Sequence, residues 1–216
     1  MKKIKSGQQG FCTVTMTTAL FFRFKTSTRG QESVSPVKFS NMSMAGYGVN
    51  DERANRVISD FLRFKVTGIS TTFHYIKPPN TIEDYDKNNV HVAEFQPDLK
   101  YIFTKETGER AQHVTPIAII SHPGVNTMYP GQIKRHFLKR PAISYPPQGE
   151  AQDNVWMRNP LLNTQDLERY MFGRVWLCGN THVGADDIAS DSSVHFKDIL
   201  VKVTNKFYVS CYGMKP

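Results

Sequence analysis

Along most of this chain apolar and polar side chains alternate one by one, and the wider spacing of an amphipathic helix is scarce. Runs rich in Thr, Val, Ile, Phe and Tyr recur between clusters of Gly, Pro and Asn, as in a β-sandwich or barrel. Eight strands are predicted, over 11–26, 37–44, 61–76, 99–104, 113–120, 132–138, 173–178 and 198–212. The third is among the longest, and Pro78-Pro79-Asn80 stops it, because proline has no N–H to give a ladder. The best helical window is 163–172, where Asn163 or Thr164 caps a short helix that Gly173 closes. The connections 46–55, 81–89, 124–131 and 145–153 are expected on the surface, where sandwich loops meet partners. The expected fold is therefore all-β: a single eight-stranded jelly roll of two packed antiparallel four-stranded sheets, with long surface loops. Its domain is 11–216, preceded by a short basic segment, 1–10.

Several strands divide their charge by parity. In Phe21-Phe-Arg-Phe-Lys25 and Phe61-Leu-Arg-Phe-Lys65, alternation sends Arg23 and Lys25, or Arg63 and Lys65, to one face. Phe22 and Phe24, or Leu62 and Phe64, go to the other and form core. The last strand repeats the arrangement, with Lys202, Thr204, Lys206 and Tyr208 opposite Val201, Val203, Phe207 and Val209. A fourth cluster is Lys134-Arg135-His136, continued by Lys139 and Arg140. Any one of these strands has the ordinary composition of a solvated sheet face. Together they are the first, third, sixth and eighth strands, which lie side by side in one jelly-roll sheet. Their basic faces are expected to merge into a surface that binds phosphates without reading bases, with Tyr208 or Tyr212 stacking exposed bases at its edge.

Composition narrows the function classes. With 39% apolar and 12% aromatic residues among 216, the chain can bury one full core and is not a disordered tail. No run of eighteen apolar residues is long enough for a membrane-spanning helix. Lys2, Lys3 and Lys5 precede Thr18-Ala-Leu-Phe-Phe22 as in a secretory signal, but threonines break the run and no small-residue cleavage site follows. Cys12, Cys178 and Cys211 are odd in number and lack CxxC spacing, which points to reduced thiols. Among His74, His91, His113, His122, His136, His182 and His195 only His91…Glu94 has a spacing suggestive of a metal. No GxSxG, P-loop or HExxH occurs, so neither an enzyme nor a cofactor is expected. Asn41-Met-Ser43 is a sequon short enough to arise by chance. The formal net charge of +8 makes a polyanion the expected partner.

Five segments carry a resemblance. Phe61-Leu-Arg-Phe-Lys-Val-Thr-Gly-Ile-Ser-Thr-Thr-Phe-His-Tyr75 resembles the long central strand of circovirus-type capsid proteins, the coat proteins of circular single-stranded DNA viruses. Ile133-Lys-Arg-His-Phe-Leu-Lys-Arg-Pro141 is similar to that family's aromatic and basic strand. Asn154-Val-Trp-Met157, Gly173-Arg-Val-Trp-Leu177 and Ile199-Leu-Val-Lys-Val-Thr-Asn-Lys-Phe-Tyr-Val209 look like its last two strands, in matching order.

The resemblance implies a T=1 icosahedral shell of about sixty copies with a genome against its inner face. Its partners would be the chain itself, viral single-stranded DNA, and a host receptor or glycan reached through the loops, with no membrane insertion. Candidate nucleic-acid contacts are Lys2, Lys3, Lys5, Arg23, Lys25, Arg63, Lys65, Lys134, Arg135, Lys202 and Lys206. The location implied is the virion. One departure stands out, because the family's long arginine-rich arm, which condenses DNA and directs nuclear import, is represented here only by Lys2, Lys3 and Lys5. Either the arm is missing from the particle, or packaging relies on the sheet, or the shell is assembled empty. The competing reading is a β-sandwich module that binds nucleic acid or carbohydrate, with Trp156 or Trp176 as stacking platforms.

Overall fold

The computed structural model describes residues 11–24, 37–44, 49–77, 93–95, 98–104, 114–145, 155–158, 161–179, 194–196 and 199–215. The chain begins with β1 (Phe11–Phe24), β2 (Val37–Ser43), β3 (Val49–Asn50), helix α1 (Glu52–Ser59) and β4 (Phe61–Ile76). It continues through β5 (Ala93–Phe95), β6 (Leu99–Thr104), helix α2 (Pro116–Ile120), β7 (Asn126–Met128), β8 (Ile133–Lys139), β9 (Ala142–Tyr145) and β10 (Val155–Arg158). It ends with β11 (Leu162–Asn163), a 3-10 turn (Thr164–Arg169), β12 (Met171–Cys178), β13 (Val194–Phe196) and β14 (Ile199–Met214).

Two antiparallel sheets face each other. In the first the order is β8–β4–β14–β1, with β3 added to β1 and β11 to β4. In the second, β12 lies between β2 and β6, with β7 beside β6 and the β9–β10 pair joined at Met171 and Ser144. This is the jelly roll expected from the alternation, although each sheet has six strands where four were expected, and the four basic strands do lie side by side. A separate parallel pair, β5 and β13, lies outside both sheets.

The inner faces supply the core. From the first sheet come Phe22, Phe64, Ile69, Phe73, Tyr75, Val203 and Phe207, and from the second Leu99, Tyr101, Phe172, Val175 and Leu177, all buried. Rings bridge the layers: Phe73 lies 4.3 Å from Tyr101, and Phe172 lies 5.6 Å from Phe207, centroid to centroid. Burying each such side chain contributes about 1.5–3 kcal/mol. The polar intruders answer each other across the ladder, since the Thr71 hydroxyl donates to Asn205 Oδ1 at 2.8 Å.

Five expectations need correction. The predicted strand over 113–120 is in its described part the helix α2, because Thr115 caps Ala118 N–H and Pro116 begins the turn; β7 takes the place beside β6. The connection over 46–55 contains the start of α1, whose N–H groups are capped by Asp51 and which buries only Ala54 and Ile58. The stretch 124–131 is not an open loop, since it holds β7 and a tight turn in which Gly131 (φ 81°) donates to the Tyr75 carbonyl at 2.9 Å. Gly173 does not end the short helix, which Asn163 caps as expected. It sits inside β12 at φ 115°, where a Cβ would meet the Thr104 carbonyl oxygen at 2.7 Å. Leu62 is half exposed at the strand end, beside Gly213, and is not core. The loop over 81–89, the segment after Tyr145 in 145–153, and the side chain of Trp156 lie outside the described residues.

Candidate nucleic-acid interface

The outer face of the first sheet is built by register. Across β4 and β14 the outward pairs are Arg63 with Tyr212, Lys65 with Ser210, Gly68 with Tyr208, Ser70 with Lys206, Thr72 with Thr204 and His74 with Lys202. β1 adds Phe21 opposite Lys202 and Thr17 opposite Lys206, with Arg23 further along the same face. β8 adds Arg135 opposite Thr72, Phe137 opposite Ser70 and Lys139 opposite Gly68. One irregularity keeps β4 in phase: Val66 pairs with Val209 and Gly68 with Tyr208, so Thr67 is the extra residue of a bulge. Without that step Phe64 and Phe73 would point to opposite faces. With it both are fully buried.

Seven cations, Arg23, Arg63, Lys65, Arg135, Lys139, Lys202 and Lys206, therefore share this face, and none of β1, β4, β8 or β14 contains an Asp or Glu. Neighbouring strands are ~4.8 Å apart and alternate residues ~6.7 Å apart, so the charges form a grid on the scale of successive phosphates. Aromatic rings are set among them. Lys202 Nζ lies 5.5 Å from the Phe21 centroid, Lys206 Nζ 5.8 Å from that of Tyr208, and Phe137 meets Tyr208 edge-on at 6.0 Å. Phe21 is 56% and Phe137 62% exposed, an unusual state for phenylalanine. Gly68 makes the second possible, because a Cβ there would lie 2.6 Å from the Phe137 ring. Cations alternating with exposed rings suit a flexible single strand, whose phosphates and bases are both accessible.

Of the predicted contacts, Arg23, Arg63, Lys65, Arg135, Lys202 and Lys206 come together here, and Lys2, Lys3, Lys5 and Lys25 lie outside the described residues. Lys134 does not belong with them. It pairs with Phe73 and points to the inner side, where its ammonium donates to the Thr127 carbonyl at 2.5 Å. Adjacent strand residues cannot both face outward, so Lys134 and Arg135 were never one patch. The exposed rings Phe21 and Phe137 are not among the residues expected from the sequence, although the parity of 135, 137 and 139 carries the second and places Lys139 beside it.

Behind β8, His136 Nε2 lies 2.6 Å from the Tyr101 hydroxyl. Burial pushes the Tyr101 phenol up to about 12, so it stays protonated and donates. Burial, and then the Lys134 ammonium, hold the His136 pKa below its usual value, which favours the neutral acceptor. A cleft of about 840 Å³ opens beside this pair, walled by apolar groups including Ile69, Phe103, Leu138 and Phe172.

The sequence matches no protein-family model and no curated protein. The fold does match solved structures. The capsid protein of beak and feather disease virus, a circovirus, solved as a 60-mer, superposes with a TM-score of 0.56 at 9% identity, covering 97% of each chain. The capsid of the giant freshwater prawn Macrobrachium rosenbergii nodavirus, from a semi-empty virus-like particle, gives 0.54 at 9% identity over 98% of each. The T=3 Penaeus vannamei nodavirus gives 0.50 at 10%, with all of this chain aligned to 57% of that one. The fold is that of viral capsid jelly rolls.

Proposed function

We propose that this chain is the coat protein of a small icosahedral virus, assembling into a T=1 shell of sixty copies around a circular single-stranded DNA genome. The shell holds its nucleic acid without sequence preference on the outer face of the first sheet. One observation carries the nucleic-acid half: seven cations and several exposed rings share a face whose strands contain no carboxylate. The assembly half is supported by a fold shared with capsid proteins, one of them solved as a 60-mer. The choice of circular single-stranded DNA rests on the circovirus-like strands noted in the sequence. The work of such a protein is done at interfaces, where unlike patches close under rotation and weak contacts are multiplied around each axis, not by catalysis. Its place is the virion, and its surface loops are the proposed contact with a host receptor or glycan.

The test is negative-stain microscopy of the purified protein, with a 260/280 nm absorbance ratio before and after DNase or RNase and particle disruption. Uniform closed shells with DNase-sensitive content are expected. A monodisperse monomer at high concentration and moderate salt would replace the coat-protein reading with a sandwich binding module.

A further inference from the structure

The chain leaves β8 through a turn that glycine would ordinarily make. Arg140 has φ 49°, the left-handed region, and among the described residues no other non-glycine adopts a positive φ. Its N–H donates to the carbonyl of Thr67 at 3.1 Å, and Thr67 is the bulged residue of β4, whose own hydroxyl donates to the Tyr208 carbonyl at 3.1 Å. A strained turn and a bulge thus brace each other across two strands, and both kinds of irregularity gather at functional sites. What they frame is a cleft of about 510 Å³ lined by Lys65, Thr67, Lys139, Arg140 and Tyr212. Among the described residues three of the five that line it are cations, and none is acidic.

We propose that this cleft is a seat for a single nucleotide, with the phosphate held between Lys65, Lys139 and Arg140 and the base or sugar against the Tyr212 ring. The proposal rests on the reading of the face as a nucleic-acid surface and adds a discrete site to it. The cleft falls within the size range of small-ligand sites. A guanidinium grips two phosphate oxygens at once, whereas the lysines act as point charges beside it. A glycine at position 140 would relieve the backbone but remove that grip, so the strain is accounted for by the side chain it delivers. Elsewhere on the face a strand slides among interchangeable cations. Here one phosphate per subunit is held in place and sets the register of the rest.

The experiment uses the purified full chain, freed of nucleic acid, titrated calorimetrically with deoxyadenosine monophosphate, deoxyadenosine and inorganic phosphate, and by fluorescence anisotropy with a labelled DNA oligonucleotide. The monophosphate is expected to saturate at one per subunit and to bind more tightly than either fragment. Arg140→Gly is expected to raise the melting temperature by about 2 °C, because glycine accepts the backbone. It should weaken the monophosphate roughly tenfold by losing the bidentate contact. Lys134→Gln, whose ammonium points inward, serves as the control and should bind as the parent does. A thermally stabilised Arg140→Gly that binds the monophosphate unchanged would overturn the seat. So would inorganic phosphate binding as tightly as the nucleotide, which would leave an anion site only. Oligonucleotide binding without any saturable monophosphate binding would reject the seat while sparing the basic face. Loss of both would reject the two together.

Discussion

The outer faces of the two sheets obey the same alternation and both carry cations, yet they put them to opposite uses. On the second sheet Arg174 is buried, with its guanidinium 4.3 Å from the Phe39 ring centroid and 5.3 Å from that of Trp176, while its Nε donates to Asn41 Oδ1 at 2.8 Å. Lys100 is held by Asp98 at 2.8 Å and by the Thr127 hydroxyl at 2.7 Å. Helix α2 covers that side and packs Ile119 with Ile102, Trp176 and Cys178 into a small second core. On the first sheet Phe21 and Phe137 stand exposed among the cations. Cations on the covered face work on the fold, where desolvation makes each partner matter. Those on the first sheet, the barer face, are the ones proposed to meet a ligand.

That contrast can be broken in order of effect. Trp176→Ala on the covered face removes a fully enclosed ring, its hydrogen bond to the Thr104 hydroxyl and the platform under Arg174. A loss of about 3–5 kcal/mol is expected in denaturant unfolding. Charge reversal of Arg23, Lys65 and Lys202 to Glu on the bare face should instead leave shells intact by microscopy and reduce encapsidated nucleic acid. The plot of log affinity against log salt for a single-stranded oligonucleotide should flatten by about 2. Unchanged nucleic-acid content in those particles would refute the division between the faces.

The smallest effect lies between the sheets. Because the His136 pKa is lowered in the folded state, the unfolded chain binds the extra proton first as pH falls, so stability is complete above about pH 6.5 and declines as pH drops through the folded value. His136→Gln should flatten the melting-temperature profile between about pH 7 and pH 5. An unchanged profile would mean that the Tyr101 contact is not what senses the proton.

Much of this contrast was legible beforehand, because period-2 alternation in β1 and β14 needs no tertiary information to sort Arg23 from Phe22 or Lys202 from Val203. Three things were not. The Thr67 bulge is a property of pairing with β14, and Thr, Val and Gly around it read as uninterrupted strand. Helix α1 escaped because eight residues with two buried positions give almost no periodic signal. Helix α2 escaped because Ile117, Ile119 and Ile120 are strand formers by propensity, overridden by the cap at Thr115. Lys134 was a different kind of miss. A run of basic letters suggests one patch, although strand geometry splits any such run between two faces.

The central place of β14 has a bearing on how the protein is made. It slots between β1 and β4, and pairs with β1 in unbroken register from Phe24–Ile199 to Phe11–Tyr212. A ribosome therefore releases two long strands well before the one that joins them, and until it emerges each presents an unpaired edge to any other nascent chain. The arrival of β14 closes both edges and brings Lys202 and Lys206 between the other basic strands in the same event. A subunit stalled short of β14 would lack Lys202 and Lys206 between the other basic strands, so completion of the cationic face is coupled in time to the synthesis of its central strand.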